Sequence, residues 1–169
     1  DLVMDTRRAS RKHARVFVQR GKFMLQDQST NGTYLLPEGV AGDQTIYLRN
    51  ESFTLIGDVF TLPEITTVGD QVYVGDRIFL PDFLTSSGGE ISFDGRVTIE
   101  NDALVASDGG VVRFQNLVGG AGSLTVDTGE GFASFERSLI LDALTVNGGV
   151  RFDGGAQNIE TAGDLVLGE

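Results

Sequence analysis

The chain has 169 residues, no cysteine, one histidine and a formal charge of −11, which excludes disulfides and thiol catalysis, leaves little for a zinc site or a histidine-based triad, and disfavours general binding to nucleic acid. Its 23 glycines, 3 prolines and short runs of Val, Thr, Phe and Leu favour strands and turns over helices, so an all-β chain is expected. No apolar run approaches the roughly 18 residues of a membrane span and the first residues lack the zones of a signal peptide, so no membrane insertion is expected.

The charge divides unevenly. Residues 1–62 carry 8 Lys and Arg against 7 Asp and Glu, and residues 63–169 carry 5 against 17. Of the 23 glycines, 18 lie after Pro63. The asymmetry predicts two modules, 1–62 and 63–169. The opening DLVMDTRR reads as the interior of a strand and loop, so sequence upstream is expected.

In chain order, Arg15 to Gln19 alternates as a short strand, Gly21-Lys22 turns it, and Lys22 to Gln26 returns as the second arm of a hairpin. STNGTYLL follows, in which Asn31-Gly32 is a strong tight-turn signal because both residues tolerate positive φ. Gln44 to Arg49 and Ser52 to Leu62 are the next strand candidates.

SRKHARV at Ser10 to Val16, followed by FMLQDQSTNGTYLL at Phe23 to Leu36, resembles the forkhead-associated family in the order and spacing of its Ser-Arg-x-His and Ser-x-Asn-Gly-Thr motifs. The resemblance implies part of a two-sheet β-sandwich that reads phosphothreonine peptides through its loops. On this implication Ser10 and Arg11 contact the phosphate, Thr30 adds a hydroxyl, Asn31 holds the peptide main chain, and His13, Gly32 and Thr33 support the site. A phosphate dianion offers three strong acceptor oxygens that such donors satisfy. The family's Gly-Arg pair, whose arginine also grips phosphate, would precede Asp1, and Arg7 or Arg8 could replace it in part. The same residues admit plainer readings: Ser10 as a turn starter, His13 as a structural residue, and Arg7, Arg8 and Arg11 as a solvated basic loop. RRAS at Arg7 to Ser10 as a kinase site, and the sequons at Asn31 and Asn50, are set aside as short chance patterns.

After Pro63 the sequence repeats. Phe93, Phe114, Phe135 and Phe152 recur at steps of 21, 21 and 17, and Leu104, Leu124, Leu144 and Leu165 at 20, 20 and 21. TTVGDQVYV at Thr66 to Val74 returns as TAGDLVL at Thr161 to Leu167, and Gly-Gly pairs at 88, 109, 119, 148 and 154 would supply the turns. Short strands with glycine corners at this period predict a parallel β-helix, or β-solenoid, of about five coils in 63–169, with the Phe and Leu series as internal ladders. GDQVYVGDRIFL at Gly69 to Leu80, with the GGEISFDG and GGVVRFQNLVGGAGSLTV stretches, resembles filamentous haemagglutinin-type adhesin repeats, which implies a secreted surface protein.

Asp94-Gly95, Asp108-Gly109 and Asp153-Gly154 could bind calcium, but the nonapeptide of calcium solenoids is absent and turn positions explain them. No metal, cofactor or catalytic residue is therefore expected, and a sugar-cleaving enzyme ranks well behind binding. The expected activity is recognition of phosphothreonine-containing proteins or peptides. The alternative is a structural adhesin fragment in which residues 1–62 cap the solenoid without binding phosphopeptide. Compartment and oligomeric state stay open, since the first resemblance implies the cytoplasm and the second the cell exterior.

Overall fold

In the computed structural model, the described residues are the backbone of strands at 14–19, 22–27, 33–35 and 45–49, together with residues 52–62, 64–154 and 158–168. They contain strands and no helix. The strands are β1 (Ala14–Gln19), β2 (Lys22–Asp27), β3 (Thr33–Leu35), β4 (Thr45–Arg49), β5 (Ser52–Ile56), β6 (Val59–Thr61), β7 (Ile65–Thr67), β8 (Gln71–Phe79), β9 (Phe83–Ser86), β10 (Ile91–Ile99), β11 (Ala103–Ser107), β12 (Val111–Phe114), β13 (Val118–Gly120), β14 (Leu124–Phe135), β15 (Leu139–Leu141), β16 (Leu144–Phe152), β17 (Ile159–Thr161) and β18 (Leu165–Leu167).

From β5 onward the pairing between coils is parallel, and the chain winds into a β-solenoid of about 6 turns of roughly 20 residues. Each coil contributes to three faces. The first face stacks β5, the start of β8, the start of β10, β12, the end of β14 and the end of β16. The second stacks β6, the end of β8, the end of β10, β13, β15 and β17. The third stacks β7, β9, β11, the start of β14, the start of β16 and β18.

Period-two alternation decides what points inward. In β11, Ala103, Val105 and Ser107 are buried while Leu104 and Ala106 are half-buried. On the first face the inward ladder is Leu55, Tyr73, Phe93, Phe114, Phe135 and Phe152. From Tyr73 on, neighbouring rings are stacked, with centroids 5.2, 4.9, 5.0 and 5.7 Å apart. Each such contact adds about 0.5–1.5 kcal/mol beyond burial. Parallel in-register strands therefore turn one repeated residue type into a continuous core.

The corner from the third face to the first needs glycine because adjacent coils nearly touch there. A Cβ at Gly89 would lie 2.3 Å from the Gly69 carbonyl carbon, and one at Gly131 would lie 1.8 Å from the Gly110 oxygen. Hydroxyls inside the corner satisfy the carbonyls that this turn frees. Ser86 Oγ donates to Gly69 O at 2.9 Å and accepts from Gly89 N at 2.9 Å, and Ser107 Oγ donates to Gly89 O at 2.6 Å. Paired in this way, a buried carbonyl avoids the 1–3 kcal/mol or so that an unsatisfied polar group costs.

The phenylalanine ladder is as expected, and so are the β1–β2 hairpin and the solenoid with its period. Four expectations are corrected. Leu104 is not in the leucine ladder: Leu124 lies beside Ala103, and Leu104 lies beside Thr125 on the outward side. The expected single strand Ser52 to Leu62 is two strands, because the chain turns a corner between β5 and β6. The Gly-Gly pair at 119 lies in β13 rather than in a turn, where a Cβ on Gly120 would fall 1.9 Å from Ile99 O. The echo of Thr66 to Val74 in Thr161 to Leu167 is a local turn and not a coil register. Thr67 and Thr161 each donate to the glycine oxygen two residues on, at 2.6 and 3.2 Å, but at different corners. The parallel ladder also runs across Pro63, since β5 and β6 both lie on β8.

Candidate functional site

The residues expected to read phosphate, Ser10, Arg11, Thr30 and Asn31, lie outside the described residues, as do the supporting His13 and Gly32. Thr33 is described through its backbone, as the first residue of β3 opposite Leu48 of β4. The backbone does fix where the two motifs attach. Ala14 is opposite Asp27 in the antiparallel β1–β2 pair, so the residue that follows His13 and the residue that precedes Gln28 sit side by side at the open end of the hairpin. Antiparallel pairing in this register enforces this. Two motifs separated by the hairpin in sequence thus attach at one end of it.

Beyond the hairpin, β3, β4 and β5 form an antiparallel meander, with Tyr34 opposite Tyr47 and Leu48 opposite Phe53. The far edge of β5 carries β8 in parallel. One sheet therefore passes from the meander into the first face of the solenoid.

Where the two meet, the solenoid interior is polar. Tyr73 OH donates to Gln71 Oε1 at 2.7 Å, and Gln71 Nε2 donates to Thr85 O at 2.7 Å and to Thr67 Oγ1 at 3.1 Å. Gln71 and Tyr73 are fully buried. Burial pushes the Tyr73 phenol well above its ordinary range, so it acts as a neutral donor. The signal for this network was present as Gln71 and Tyr73 two residues apart on one strand, which places both side chains inside.

A recess of about 640 Å³ opens at the corner between the first and second faces, bordered by Asp58, Asp76, Asp94, Arg96 and Asn116. Asp58 O accepts from the backbone nitrogens of Asp76 and Arg77 at 2.7 and 3.0 Å, and Asn116 Nδ2 donates to Asp94 Oδ1 at 3.4 Å. Asp94 is thus a corner residue. Among the described residues no group of three or more His, Cys, Asp and Glu could hold a metal ion.

The hairpin, the meander and the first strand of the solenoid coincide with the extent of a known family. An FHA-domain family model matches residues 1–57. The match covers about a third of the chain and ends just past β5. Comparison with curated proteins and with solved structures returned no match. The chain therefore combines an FHA-domain match with a parallel β-solenoid that starts inside it.

Proposed function

We propose that the chain is a protein-binding module that recognises phosphothreonine peptides, with Ser10, Arg11, Thr30 and Asn31 as the contacting residues, joined to a β-solenoid. The observation that carries this reading is the FHA-domain match over 1–57, which contains both phosphate-reading motifs in the expected order. The hairpin register supports it by attaching both motifs at one end of β1–β2. The binding part is assigned within 1–62, whose last strands, β5 and β6, are also the first strands of the repeat part. The partner is a phosphothreonine-containing protein, and no cofactor or catalytic step is invoked.

Titration of the 169-residue chain with a degenerate phosphothreonine peptide pool tests the assignment. Asn31→Ala and Arg11→Ala should each weaken binding about tenfold or more, because each removes a hydrogen bond to an ionised or peptide group. Binding unchanged in both variants would contradict the site.

A second reading, the solenoid cap of a secreted adhesin, draws on one observation: β4 covers the outer edge of β5, the first-face strand of the first coil, that would otherwise be open. Solenoid ends need such cover. This favours a capping role for the strands that precede β5. The adhesin assignment itself rests only on the resemblance of the repeats.

A further inference from the structure

We propose that the FHA-matched segment is folded on the solenoid, with coil 2 (β8 and β9, coil 1 being β5 to β7 and coil 3 β10 and β11) serving as the sheet neighbour and core for β5, to which β4 and β3 add in turn. The match ends at residue 57, so its last strand, β5, belongs to both parts of the chain. On one edge β5 makes five antiparallel pairs with β4, Thr45↔Ile56 to Arg49↔Ser52, and on the other edge four parallel pairs with β8, Phe53↔Gln71 to Ile56↔Val74.

The core that β5 uses is the solenoid's. Leu55 is 5 % exposed and stands directly on Tyr73 in the inward ladder. Phe53 packs its ring on Tyr73 with centroids 5.8 Å apart. The strand ends are tied by Phe53 N to Asp70 O at 2.7 Å, Gly57 N to Val74 O at 3.0 Å, and Asp70 N to Ser52 Oγ at 3.0 Å. A small antiparallel sheet is stabilised by a partner for its apolar face. Here that partner is Tyr73, whose hydroxyl is held by Gln71 and through it by Thr67 and Thr85. The polar network thus fixes the ring on which the matched segment rests.

The consequence is reciprocal, since stability that coil 2 lends to β5 is returned by β5 to coil 2. A residue of the solenoid outside the match becomes a determinant of any ligand site inside it. The proposal rests on the strand pairing and not on the phosphopeptide reading, and its test contains no peptide, so the two fail separately.

Native-state amide hydrogen exchange on the full 169-residue chain provides the test. Tyr73→Ala should accelerate exchange in β4 and β5 by roughly 100-fold, as expected for removing a buried ring from a locally opening unit. The milder Tyr73→Leu, which keeps coil 2 apolar but loses the ring contact with Phe53, should accelerate it by roughly tenfold. Phe114→Ala, in the same ladder but two coils further on, should leave β4 and β5 unchanged, because stacked coils interact with nearest neighbours. Unchanged exchange in β4 and β5 in both Tyr73 variants, or equal acceleration by Phe114→Ala, would overturn the proposal.

Discussion

Replacing Gly95 by alanine tests whether glycines of the solenoid are required by contact between coils or by backbone conformation. A Cβ at Gly95 would lie 1.9 Å from Gly75 O, 2.9 Å from Gly75 C and 3.1 Å from Ile78 Cδ1, whereas ordinary contact begins at 3.4 Å. The obstacle is backbone in β8, so coils 2 and 3 must part locally by about 1.5 Å, a large fraction of the roughly 4.8 Å spacing between strands. That displacement stretches neighbouring ladder hydrogen bonds beyond useful length. Losing two of them at about 1 kcal/mol each, with an overpacking cost of about 1–3 kcal/mol, gives about 3–5 kcal/mol. Gly109 is the contrasting case. Its φ is +79° and nothing lies within 4 Å of an added Cβ, so Gly109→Ala should cost only the 1–2 kcal/mol or so of a left-handed residue. Urea unfolding followed by circular dichroism should place Gly95→Ala below Gly109→Ala, and both below the parent chain. The reverse order, or a Gly95→Ala chain as stable as the parent, would refute the coil-contact reasoning.

Further outcomes follow from the same ladders. Phe114→Ala should lower stability by about 3–5 kcal/mol, because the ring is fully buried and stacked on both sides; Phe152→Ala should cost less than half as much, its ring being 37 % exposed and stacked on Phe135, and thermal melts should separate the two. Tyr73, buried and raised above its usual range, should resist alkaline titration while the chain stays folded. The sign is that of a group protonated in the folded state: its contribution is complete below the unfolded phenol pKa of about 10 and is lost as pH rises beyond it, so a spectrophotometric titration should show Tyr73 ionising together with unfolding. Arg113→Ala should change stability by less than about 1 kcal/mol, since its contacts with Glu90 at 3.0 Å and Glu136 at 3.8 Å are part-exposed.

Much of the solenoid was legible because parallel in-register stacking repeats a residue at each turn, so the phenylalanines could be aligned as letters. The same method failed where letters and faces disagree. Leu104 matches Leu124 in kind, but period-two alternation turns it outward and leaves small Ala103 as the inward partner. Coil 1 is not legible in the sequence for a related reason: the ladder continues through Tyr73 to Leu55, and neither residue extends a phenylalanine series. Pro63 marks a change in composition, while the parallel ladder crosses it. The corner hydroxyls of Ser86 and Ser107 are hard to read from sequence, because a serine two residues before Gly-Gly reads as part of an ordinary turn. For the phosphate-reading residues the sequence supplied motif order and spacing, to which the backbone adds the shared hairpin end through Ala14 and Asp27.

Phosphate-dependent recognition by residues 1–62 can be measured by calorimetric titration of the 169-residue chain with one threonine peptide in phosphorylated and unphosphorylated forms. The phosphorylated peptide should bind at least about tenfold more tightly, as charge-assisted hydrogen bonds to phosphate require, and Asn31→Ala should weaken binding of the phosphorylated form. Equal affinity for the two peptides would rule out phosphate-dependent recognition.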